Sequence, residues 1–371
     1  MDFDFSEDQQ QLREAVRRWV ERSYGFERRR AIVKAGGFDR DVWQALAELG
    51  LTALHVPEGL DGLGQGPVEA MVVMEELGRG LVLEPLAQGA LIAPLVIQAG
   101  SAELQQAWLP RIARGESLVV LAHQERRARY RLDVLDTLAQ RSDGRWLVSG
   151  AKSLVPAGDV ADAFIVPAHT NEGLALLLVE RGGPGVHLRG YPLQDGARAA
   201  ELTLDQAPAS LITADGLPLL EAVVDVGIAA LCAEAVGAME QLLALTVDYL
   251  NTRKQFGVPI ASFQALRHRV ADCKMQLELA RSMSYYATLK LHDEPATRGR
   301  AAAQAKVQLG QALRFVGQQC VQLHGGIGVT DEYIGSHYFK RLTCMELQFG
   351  DSLHHLGEVS ARMQDTAGVF A

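Results

Sequence analysis

The stretch RKQFGVPI, residues 253–260, separates long runs of sequence in which apolar residues recur at helical spacing. The run ahead of it covers 219–251, and the runs behind it cover 263–291 and 301–322. Two cations followed by an aromatic residue, Gly and Pro are typical of a helix C-terminus, because cations complement the helix dipole and Gly and Pro end the helix. Three long helices with short connections predict an antiparallel helical bundle.

The sequence ahead of this bundle begins with shorter helices. Ser6 followed by Gln9 predicts a capping box for an amphipathic first helix. Further helical periods lie at 41–49, 68–77, 87–99 and 102–112. Gly50 and Gly78 are predicted to end the first two of these.

The pattern changes after Gly115, where short β-branched or alternating runs appear between Gly, Asp and Pro. These runs lie at 117–122, 146–148, 163–166, 175–179 and 201–204. They follow one another too closely for βαβ units. The expected fold class is therefore α+β and multidomain: an N-terminal α-helical domain (1–117), a middle β-barrel or β-sandwich domain (118–213) and a C-terminal domain built as a four-helix bundle (214–371).

Composition narrows the class of protein. The chain has 371 residues, is 48% hydrophobic and carries a net charge of −9 spread along its length, which argues against a nucleic-acid groove or an anionic membrane surface. The four cysteines form no CxxC pair and no regular frame, so they indicate neither a disulfide scaffold nor a zinc site. The acidic start, Met1 to Phe5, is no signal peptide, and no run reaches the length of a membrane span. A cytoplasmic protein is expected.

Several short motifs carry no chemistry in this context. Gly62-Leu63-Gly64-Gln65-Gly66 lies between two helices rather than after a strand, so it is a loop and not a dinucleotide fingerprint. His354, His355 and Glu358 lack the spacing of a metal site and are expected on a solvated surface helix, and no metal is expected elsewhere. The chain has no GxSxG and no P-loop.

Two segments suggest a ligand. An Arg beside an exposed aromatic residue, as at Arg253 and Phe256, suits a pyrophosphate and a flat heterocycle. The segment QLHGGIG, residues 322–328, places three glycines directly after a long helix, where the backbone is able to approach a ligand closely. Each segment taken alone is better explained as an ordinary helix end than as a binding site.

Taken together and in this order, the segments resemble the acyl-CoA dehydrogenase family, and the resemblance covers the whole chain. The segments that carry it are FSEDQ (5–9), the loop 51–64 with VPE (56–58), GAK (150–152), RKQFG (253–257) and QLHGG (322–326). Within the family the chain resembles the small subunit of pimeloyl-CoA dehydrogenase. The resemblance implies a reaction in which a carboxylate removes the α-proton of an acyl-CoA and the β-hydrogen leaves as hydride to FAD, giving the trans-2-enoyl-CoA. It also implies that electron-transfer flavoprotein accepts the electrons.

The resemblance further implies which residues hold the cofactor. Four residues would bind a neighbouring subunit's FAD by its pyrophosphate and adenosine end: Arg253, Gln255, Phe256 and Gln264. Three more would lie against the adenosine side of the same cofactor: Gln322, Gly325 and Gly326.

The catalytic base of the family is missing at both of its usual positions. Phe349 occupies the position of the glutamate that precedes the last helix, and Gly227 occupies the alternative position on the first long C-terminal helix. Carboxylates nearby, at Glu346, Asp351 and Asp225, are the candidates for a relocated base.

The β-domain departs from the family as well. Residues 122–130, AHQERRARY, lack the Thr and the Gly-Ser-Asp turn that hold the flavin ring in family members, and Leu154-Val155-Pro156 replaces Trp-Ile-Thr. The adenosine-side motifs are thus kept and the flavin-ring motifs are lost. An arginine run either forms a solvated strand end or meets a CoA phosphate or a distal carboxylate; it comprises Arg126, Arg127, Arg129 and Arg131.

Three hypotheses of function follow. The chain is a subunit of an FAD-dependent acyl-CoA dehydrogenase that assembles with a catalytic paralogue, as a heterotetramer; or a non-catalytic acyl-CoA-binding or scaffold protein of the same fold; or a homomeric flavoenzyme whose base has moved. The retained RKQFG and QLHGG segments favour the first, since a scaffold needs no cofactor clamps. A bound yellow chromophore separates the first hypothesis from the second.

Overall fold

A computed structural model describes residues 4–363. Residues 1–3 and 364–371, which include most of the acidic start and the end of the expected C-terminal domain, lie outside the described part. The N-terminal helices are α1 (Glu7–Ser23), α2 (Phe26–Ala35), α3 (Arg40–Glu48), α4 (Pro67–Arg79), a π-helical turn (Ala87–Ile92), α5 (Ala93–Ile97) and α6 (Ala102–Ala113). The strands that follow are β1 (Val119–Leu121), β2 (Leu138–Ser142), β3 (Arg145–Pro156), β4 (Ala163–Thr170), β5 (Gly173–Glu180), β6 (Val186–Pro192) and β7 (Arg198–Thr213). The C-terminal part contains α7 (Leu217–Thr252), the short strands β8 (Lys254–Gln255) and β9 (Val258–Pro259), α8 (Gln264–Leu289), α9 (Pro295–His324), α10 (Ile334–Leu347) and α11 (Ser352–Ala361).

The predicted order of helices, strands and long helices is confirmed, and so is the capping box of α1. The Ser6 hydroxyl accepts from the Gln9 amide at 3.2 Å, and the Gln9 side chain accepts from the Ser6 amide at 3.0 Å. The prediction that Gly78 ends its helix is wrong, because α4 continues through it to Arg79. Over the described residues, no helix is long and apolar enough to cross a membrane.

Contacts within the chain separate it into two compact units. Among the described residues, one unit consists of residues 4–29, 71–82 and 228–363, and the other of residues 30–70 and 83–227. The helices of the N-terminal region are therefore shared between the two units. The three-part division drawn from the sequence is a different partition, and its boundaries stay a prediction.

The strands of the second unit form a mixed sheet that closes into a barrel. Neighbouring strands follow the order β4, β2, β3, β7 and β5, and β5 pairs with β4 again along its whole length. Most pairings are antiparallel, but β1 runs parallel to β4, and a single bridge between β2 and β4 is parallel too. The closed ring decides between the two predicted forms in favour of a barrel, and closure protects the strand edges.

A buried ion pair lies within this β-structure. The Lys152 ammonium, which is fully buried, donates to the Glu125 carboxylate and to the Pro167 carbonyl, both at 2.7 Å. The Thr137 hydroxyl and the Asp136 amide also donate to Glu125, at 2.7 and 2.6 Å. Burial lowers the pKa of Lys152 to about 8, opposed by the Glu125 charge. Because both charges have close hydrogen-bond partners, the cost of burying them is offset.

The helical unit is built around a close crossing of α4 and α7. A Cβ atom on Gly78 would lie 1.9 Å from the Glu234 carbonyl oxygen, and one on Gly237 would lie 1.8 Å from the Glu75 carbonyl oxygen. Only glycines permit two helix backbones to touch in this way. Packing against α7, rather than a helix end, is therefore the reason for glycine at position 78.

We expect Gly237→Ala to lower the free energy of unfolding by roughly 1–3 kcal/mol or more, because the added methyl group overlaps a backbone oxygen that is unable to move away. Gly357→Ala on α11 is the matched control. A Cβ there meets nothing within 4 Å, so this helical substitution should stabilise the protein by up to about 1 kcal/mol. Urea unfolding followed by circular dichroism measures both, and equal effects at the two positions would contradict the tight crossing.

Candidate functional site

The RKQFG segment forms a hairpin directly after α7, which we call the clamp hairpin (residues 253–259). Strands β8 and β9 pair through Lys254 with Pro259 and Gln255 with Val258. Phe256 and Gly257 form the turn with φ of 54° and 79°, and positive φ at both positions is the mark of a type I′ turn. A non-glycine residue in the left-handed region is uncommon, so the turn presents Phe256 at the expense of some strain.

The side chains of the clamp hairpin face outward. Phe256 is 91% exposed, and its ring meets the Phe263 ring edge to face at 6.0 Å. The Arg253 backbone is fixed on both sides, because its amide donates to the Tyr249 carbonyl at 2.9 Å and its carbonyl accepts from the Ile260 amide at 2.8 Å. The side chains that the sequence assigns to the cofactor here are all exposed: Arg253, Gln255, Phe256 and Gln264. A fixed backbone that displays a guanidinium and an aromatic face suits a phosphate joined to a flat ring.

The QLHGG segment ends α9 and continues into a 3₁₀ turn, Gly325–Val329, which we call the glycine turn. Gly325 has φ of 64°, a conformation that favours glycine. Side chains placed on Gly325 or Gly326 would meet nothing within 4 Å, so the backbone there is open on one side. Gln322 is exposed one turn earlier. The backbone at Gly325 and Gly326 is thus open to a ligand, whereas Gly328 packs against the Val321 carbonyl, and binding of a ligand here stays a prediction.

A stack of aromatic rings brings the clamp hairpin and the glycine turn together. The His324 ring, immediately before Gly325, lies 4.7 Å from the Tyr249 ring and 4.9 Å from the Tyr333 ring, measured between centroids. Tyr249 is one helical turn before Arg253. Segments that lie about 70 residues apart in sequence therefore share one end of the helical unit.

A groove runs along α7 and α8 beside the clamp hairpin. Its two lobes, of 430 and 350 Å³, share Val247 and Asn251 in their walls. Leu243 and Leu277 line the first lobe, and Val270 lines the second. The outer face of α8 also exposes Met275 and Leu279, at 53% and 45%. Apolar side chains thus line part of the groove, and charged residues line the rest, among them Glu240, Lys274 and Arg267.

The segment from the end of α10 to the start of α11, residues 345–351, contains Phe349, which the sequence comparison aligned with the expected catalytic base. Phe349 is half-buried there with φ of 55°, followed by Gly350 with φ of 108°. The fully buried Lys306 ammonium donates to three carbonyls of this segment: Met345 at 3.1 Å, Glu346 at 2.8 Å and Gly350 at 2.8 Å. Burial lowers the pKa of Lys306 to about 8. The three donors of the ammonium tie together the backbone on both sides of Phe349.

Two of the three candidate bases have structural roles. The Glu346 carboxylate accepts from the Ser352 hydroxyl at 2.9 Å and the Ser352 amide at 3.1 Å. The Asp351 carboxylate caps α11 by accepting from the His354 amide at 2.8 Å. Both acids also lie in the electrostatic surroundings of the buried Lys306. Glu346 and Asp351 therefore serve the N-terminus of α11 and the charge of Lys306.

The third candidate and the alternative base position both lie on α7. Asp225 and Gly227 are both buried in the first turns of α7, and they belong to the other compact unit. The structure thus groups Glu346 with Phe349 and Asp351, and it groups Asp225 with Gly227.

The prediction of a solvated surface helix at 354–358 is wrong for His355. This side chain is 5% exposed, and its Nε2 donates to the Phe349 carbonyl at 2.8 Å. Burial lowers the pKa of His355 to about 4, so the ring is neutral at pH 7. Over the described residues, no cluster of three or more metal-type side chains is found.

On the barrel side of the predicted site, Leu154 and Pro156 bring no side-chain donor or acceptor. Leu154 is 46% exposed with φ of 50°, and Pro156 has no amide hydrogen to donate. The neighbouring arginine run is exposed and pairs with local acids: Arg126 with Glu201 at 3.6 Å, Arg127 with Asp136 at 3.0 Å and Arg131 with Asp133 at 2.6 Å. These pairs favour the prediction of a solvated strand end.

The sequence interpretation missed Lys306, although a signal was present. Ala302, Lys306, Leu309 and Leu313 lie at helical spacing on the buried stripe of α9. A lysine in such a stripe requires buried partners, since an unpaired ammonium is costly to bury. Which carbonyls meet it depends on a segment about 40 residues away, and no local pattern reveals that.

We expect Lys306→Met to lower the free energy of unfolding by at least about 2 kcal/mol, because it removes the ammonium that donates to three carbonyls, of which only that of Met345 also accepts from the Gln348 amide. Lys274→Met is the matched control, since that side chain is 56% exposed and should change stability by no more than about 0.5 kcal/mol. Chemical denaturation measures both. Indifference to Lys306→Met would mean that the segment is held by other contacts.

We expect the protein to lose stability as the pH falls from about 6.5 towards 4. The pKa of His355 is about 4 when folded, against roughly 6.5 in an unfolded chain, and burial also lowers the pKa of His324 and of His337. A lowered folded pKa gives stability that is complete above the unfolded pKa and is lost on acidification. His355→Gln keeps a donor for Phe349 but removes the titration, so its unfolding free energy should fall less steeply with acid. His268→Gln, on the exposed face of α8, should keep the wild-type slope.

Two models of known protein families match this chain, one in its N-terminal part and one in its C-terminal part. The model for the acyl-CoA dehydrogenase N-terminal domain matches residues 6–116, and that for the acyl-CoA dehydrogenase C-terminal domain matches residues 214–364. Acyl-CoA dehydrogenase IpdE2 of Mycobacterium tuberculosis is 33% identical over 90% of this chain and 91% of its own. Acyl-CoA dehydrogenase FadE12 of the same organism is 30% identical over 88% of both chains.

Solved structures share the fold over nearly the full length. A chain of the ChsE4–ChsE5 complex from Mycobacterium tuberculosis superposes with a TM-score of 0.90 at 28% identity, over 99% of this chain and 100% of that one. A chain from a structure described as an electron transferring flavoprotein of Acidaminococcus fermentans gives 0.90 at 26% identity, over 98% and 99%. An FAD-dependent dehydrogenase gives 0.86 at 27% identity, over 98% and 100%.

Proposed function

Because the chain belongs to the acyl-CoA dehydrogenase family, we propose that it is the subunit of an FAD-dependent acyl-CoA dehydrogenase that lacks its own base and acts in a heteromer with a catalytic paralogue. The observation that carries the proposal is the segment 345–351. Phe349 stands at the position of the base, and the two carboxylates beside it, Glu346 and Asp351, are engaged in holding α11. A carboxylate engaged in this way is poorly placed to take a proton from a substrate.

A solved relative supports the assembly with a paralogue. That relative is a chain of a complex between two differently named proteins, ChsE4 and ChsE5. The partly apolar groove of α7 and α8, with Met275 and Leu279 on the outer face, offers a surface for such an assembly. We infer that the heteromer is a heterotetramer formed through the C-terminal helices.

FAD is the cofactor, in keeping with the family and with the FAD-dependent dehydrogenase of the same fold. The adenosine end of FAD fits the donor set of the helical unit: an exposed guanidinium at Arg253, an exposed ring at Phe256 and an open backbone at Gly325 and Gly326. The flavin end fits the barrel less well, since Leu154 and Pro156 supply no side-chain donor. Bound FAD supplies the acceptor for the hydride of the reaction.

The residues of this chain then have binding roles rather than a role in proton transfer. Arg253 supplies charge-assisted hydrogen bonds to phosphate, and Phe256 supplies a stacking surface. Gln255, Gln264 and Gln322 add polar contacts around them. The substrate is an acyl-CoA, whose α-proton the paralogue's carboxylate removes, and electron-transfer flavoprotein takes the electrons. Co-expression with the neighbouring dehydrogenase gene, followed by an acyl-CoA screen, identifies the acyl group.

A scaffold role is the second candidate, and the altered barrel side favours it. The exposed Leu154 and the donor-free Pro156 are what a chain that never meets a flavin ring would tolerate. The retained clamp hairpin and glycine turn favour the first candidate. Flavin absorbance of the purified assembly, counted per subunit, separates the two. A homomer with a moved base is the third candidate, and it would draw its base from Asp225, beside Gly227 on α7, or from the two carboxylates near Phe349.

We expect Arg253→Ala to lower flavin occupancy of the assembled complex, because a charge-assisted contact to phosphate contributes roughly 1.5–3 kcal/mol. Flavin per subunit after gel filtration is the measurement. Arg141→Ala, on the exposed strand β2, is the control and should leave occupancy unchanged. Full occupancy in Arg253→Ala would mean that this guanidinium does not reach the cofactor.

We expect the purified single chain to dehydrogenate no acyl-CoA, whereas the complex with its paralogue is active and loses turnover when the paralogue's base is removed. Phe349→Glu should not restore activity to the single chain, because a base without a positioned hydride acceptor does not complete the reaction. Turnover is followed by reduction of an artificial electron acceptor. Activity of the single chain that disappears on substituting Asp225, Glu346 or Asp351 would replace the heteromer with a relocated base.

A further inference from the structure

We infer that His324 is a positioning residue that sets the clamp hairpin and the glycine turn at the right separation for one ligand, and that its protonation releases them. The inference rests on the proposed function, since it assigns the ligand as FAD. It goes further in naming the residue that couples the two segments and the condition that uncouples them.

His324 lies where the helices that carry the two segments meet. The ring is 3% exposed at the last residue of α9, directly before the glycine turn. Tyr249, on the last turn of α7 before the clamp hairpin, stacks on it with an interplanar angle of 34°. Tyr333, directly before α10, lies close to it at an angle of 50°. Three helix ends therefore meet at one ring.

The hydrogen bonds of His324 fix its tautomer. Nδ1 lies 2.8 Å from the Cys320 carbonyl, and a carbonyl only accepts, so Nδ1 carries the hydrogen. Nε2 is then the acceptor for the Tyr333 hydroxyl at 2.8 Å. The neutral imidazole thus holds α9 on one side and Tyr333 on the other. A phenylalanine would fill the same space between the rings and make neither bond.

Protonation would reverse one of these bonds and place a charge on a buried ring. With a proton on Nε2 both ring nitrogens donate, so the Tyr333 hydroxyl has to turn its own hydrogen away and accept, while the bond to Cys320 survives. The titratable groups around the Tyr333 hydroxyl are Tyr249 and Asp248 on α7 and Cys320 on α9. Burial lowers the pKa of His324, while the bond to Cys320 raises it. Because a charge on a ring that is 3% exposed is poorly solvated, protonation favours movement of the glycine turn away from the clamp hairpin, which lets water reach the ring.

The test measures FAD affinity against pH in the assembly in which the chain purifies, with flavin removed and FAD titrated back. Between about pH 7.5 and 5, the FAD affinity of the wild type should fall steadily as His324 gains its proton. His324→Phe keeps the ring stack and should bind about tenfold more weakly at the upper pH, with a flatter pH dependence, since it loses two buried hydrogen bonds. Tyr333→Phe removes the hydrogen bond at Nε2 but leaves a charge on the ring as poorly solvated as before, so FAD binding should weaken at the upper pH while the pH dependence remains. His268→Phe, on the exposed face of α8, is the control and should behave as the wild type.

Hydrogen exchange without any flavin provides the second readout. In His324→Phe, residues 253–260 and 325–330 should exchange faster together, while the barrel is unchanged. FAD binding that is equally tight and equally pH-dependent in His324→Phe would overturn the inference and leave the proposed function standing. If the two segments exchange together but the assembly never binds FAD, the proposed function and FAD as the ligand are wrong, while the positioning role of His324 stands. If the two segments exchange independently, His324 does not couple them and the inference is wrong.

Discussion

The contact between the backbones of α4 and α7 is the constraint on which the helical unit depends. Gly78 and Gly237 remove the side chains that would hold the two helices apart, and each faces a carbonyl oxygen of the other helix. So close an approach buries Glu75 and Glu76 on α4, at 4% and 1% exposure. Buried carboxylates are tolerated only when paired, and arginines from α1 and α8 meet them: Arg17 with Glu76 at 2.6 Å and Arg281 with Glu75 at 2.5 Å. The crossing therefore dictates the charges of the helices around it. It also fixes α7, whose far end carries the clamp hairpin.

A second buried charge explains how the segment before α11 keeps its conformation without a base. Lys306 needs acceptors, and three carbonyls of residues 345–350 supply them. Glu346 and Asp351 balance its charge and bind the start of α11. His355 adds a donor to the Phe349 carbonyl. Since all these contacts involve backbone or neighbouring residues, an apolar ring at position 349 in place of a carboxylate leaves the segment folded. The same contacts leave Glu346 and Asp351 little freedom to act on a substrate.

The two ends of the proposed cofactor are treated differently by this chain. The clamp hairpin and the glycine turn keep an exposed guanidinium, an exposed ring and an open backbone, and the His324 ring stack holds them side by side. The barrel offers an exposed Leu154 and a proline where a flavin ring would need donors. A subunit that lends a clamp to its neighbour needs the first set and not the second. This difference between the two ends supports the proposal that this chain binds the adenosine end of FAD while its paralogue supplies the catalytic base.

The sequence by itself determined the order of the helices and strands, because hydrophobic periodicity and the residues that begin or end an element depend only on neighbouring positions. The capping box at Ser6, the long helices after residue 217 and the closely spaced strands are all of this kind. It also singled out the clamp and glycine segments, whose residue types suit a phosphate and a close backbone approach. Other features were decided only by the tertiary structure, since they join residues distant in the chain. Gly78 looked like a helix end and proved to be a contact point, because its partner Gly237 lies on another helix. His355 was expected to be solvated but is buried, and its ring donates to the Phe349 carbonyl six residues earlier in the chain. Closure of the barrel, the partners of Lys306 and the role of His324 belong to the same class, for a local pattern shows that a group is polar or small but not what it will meet.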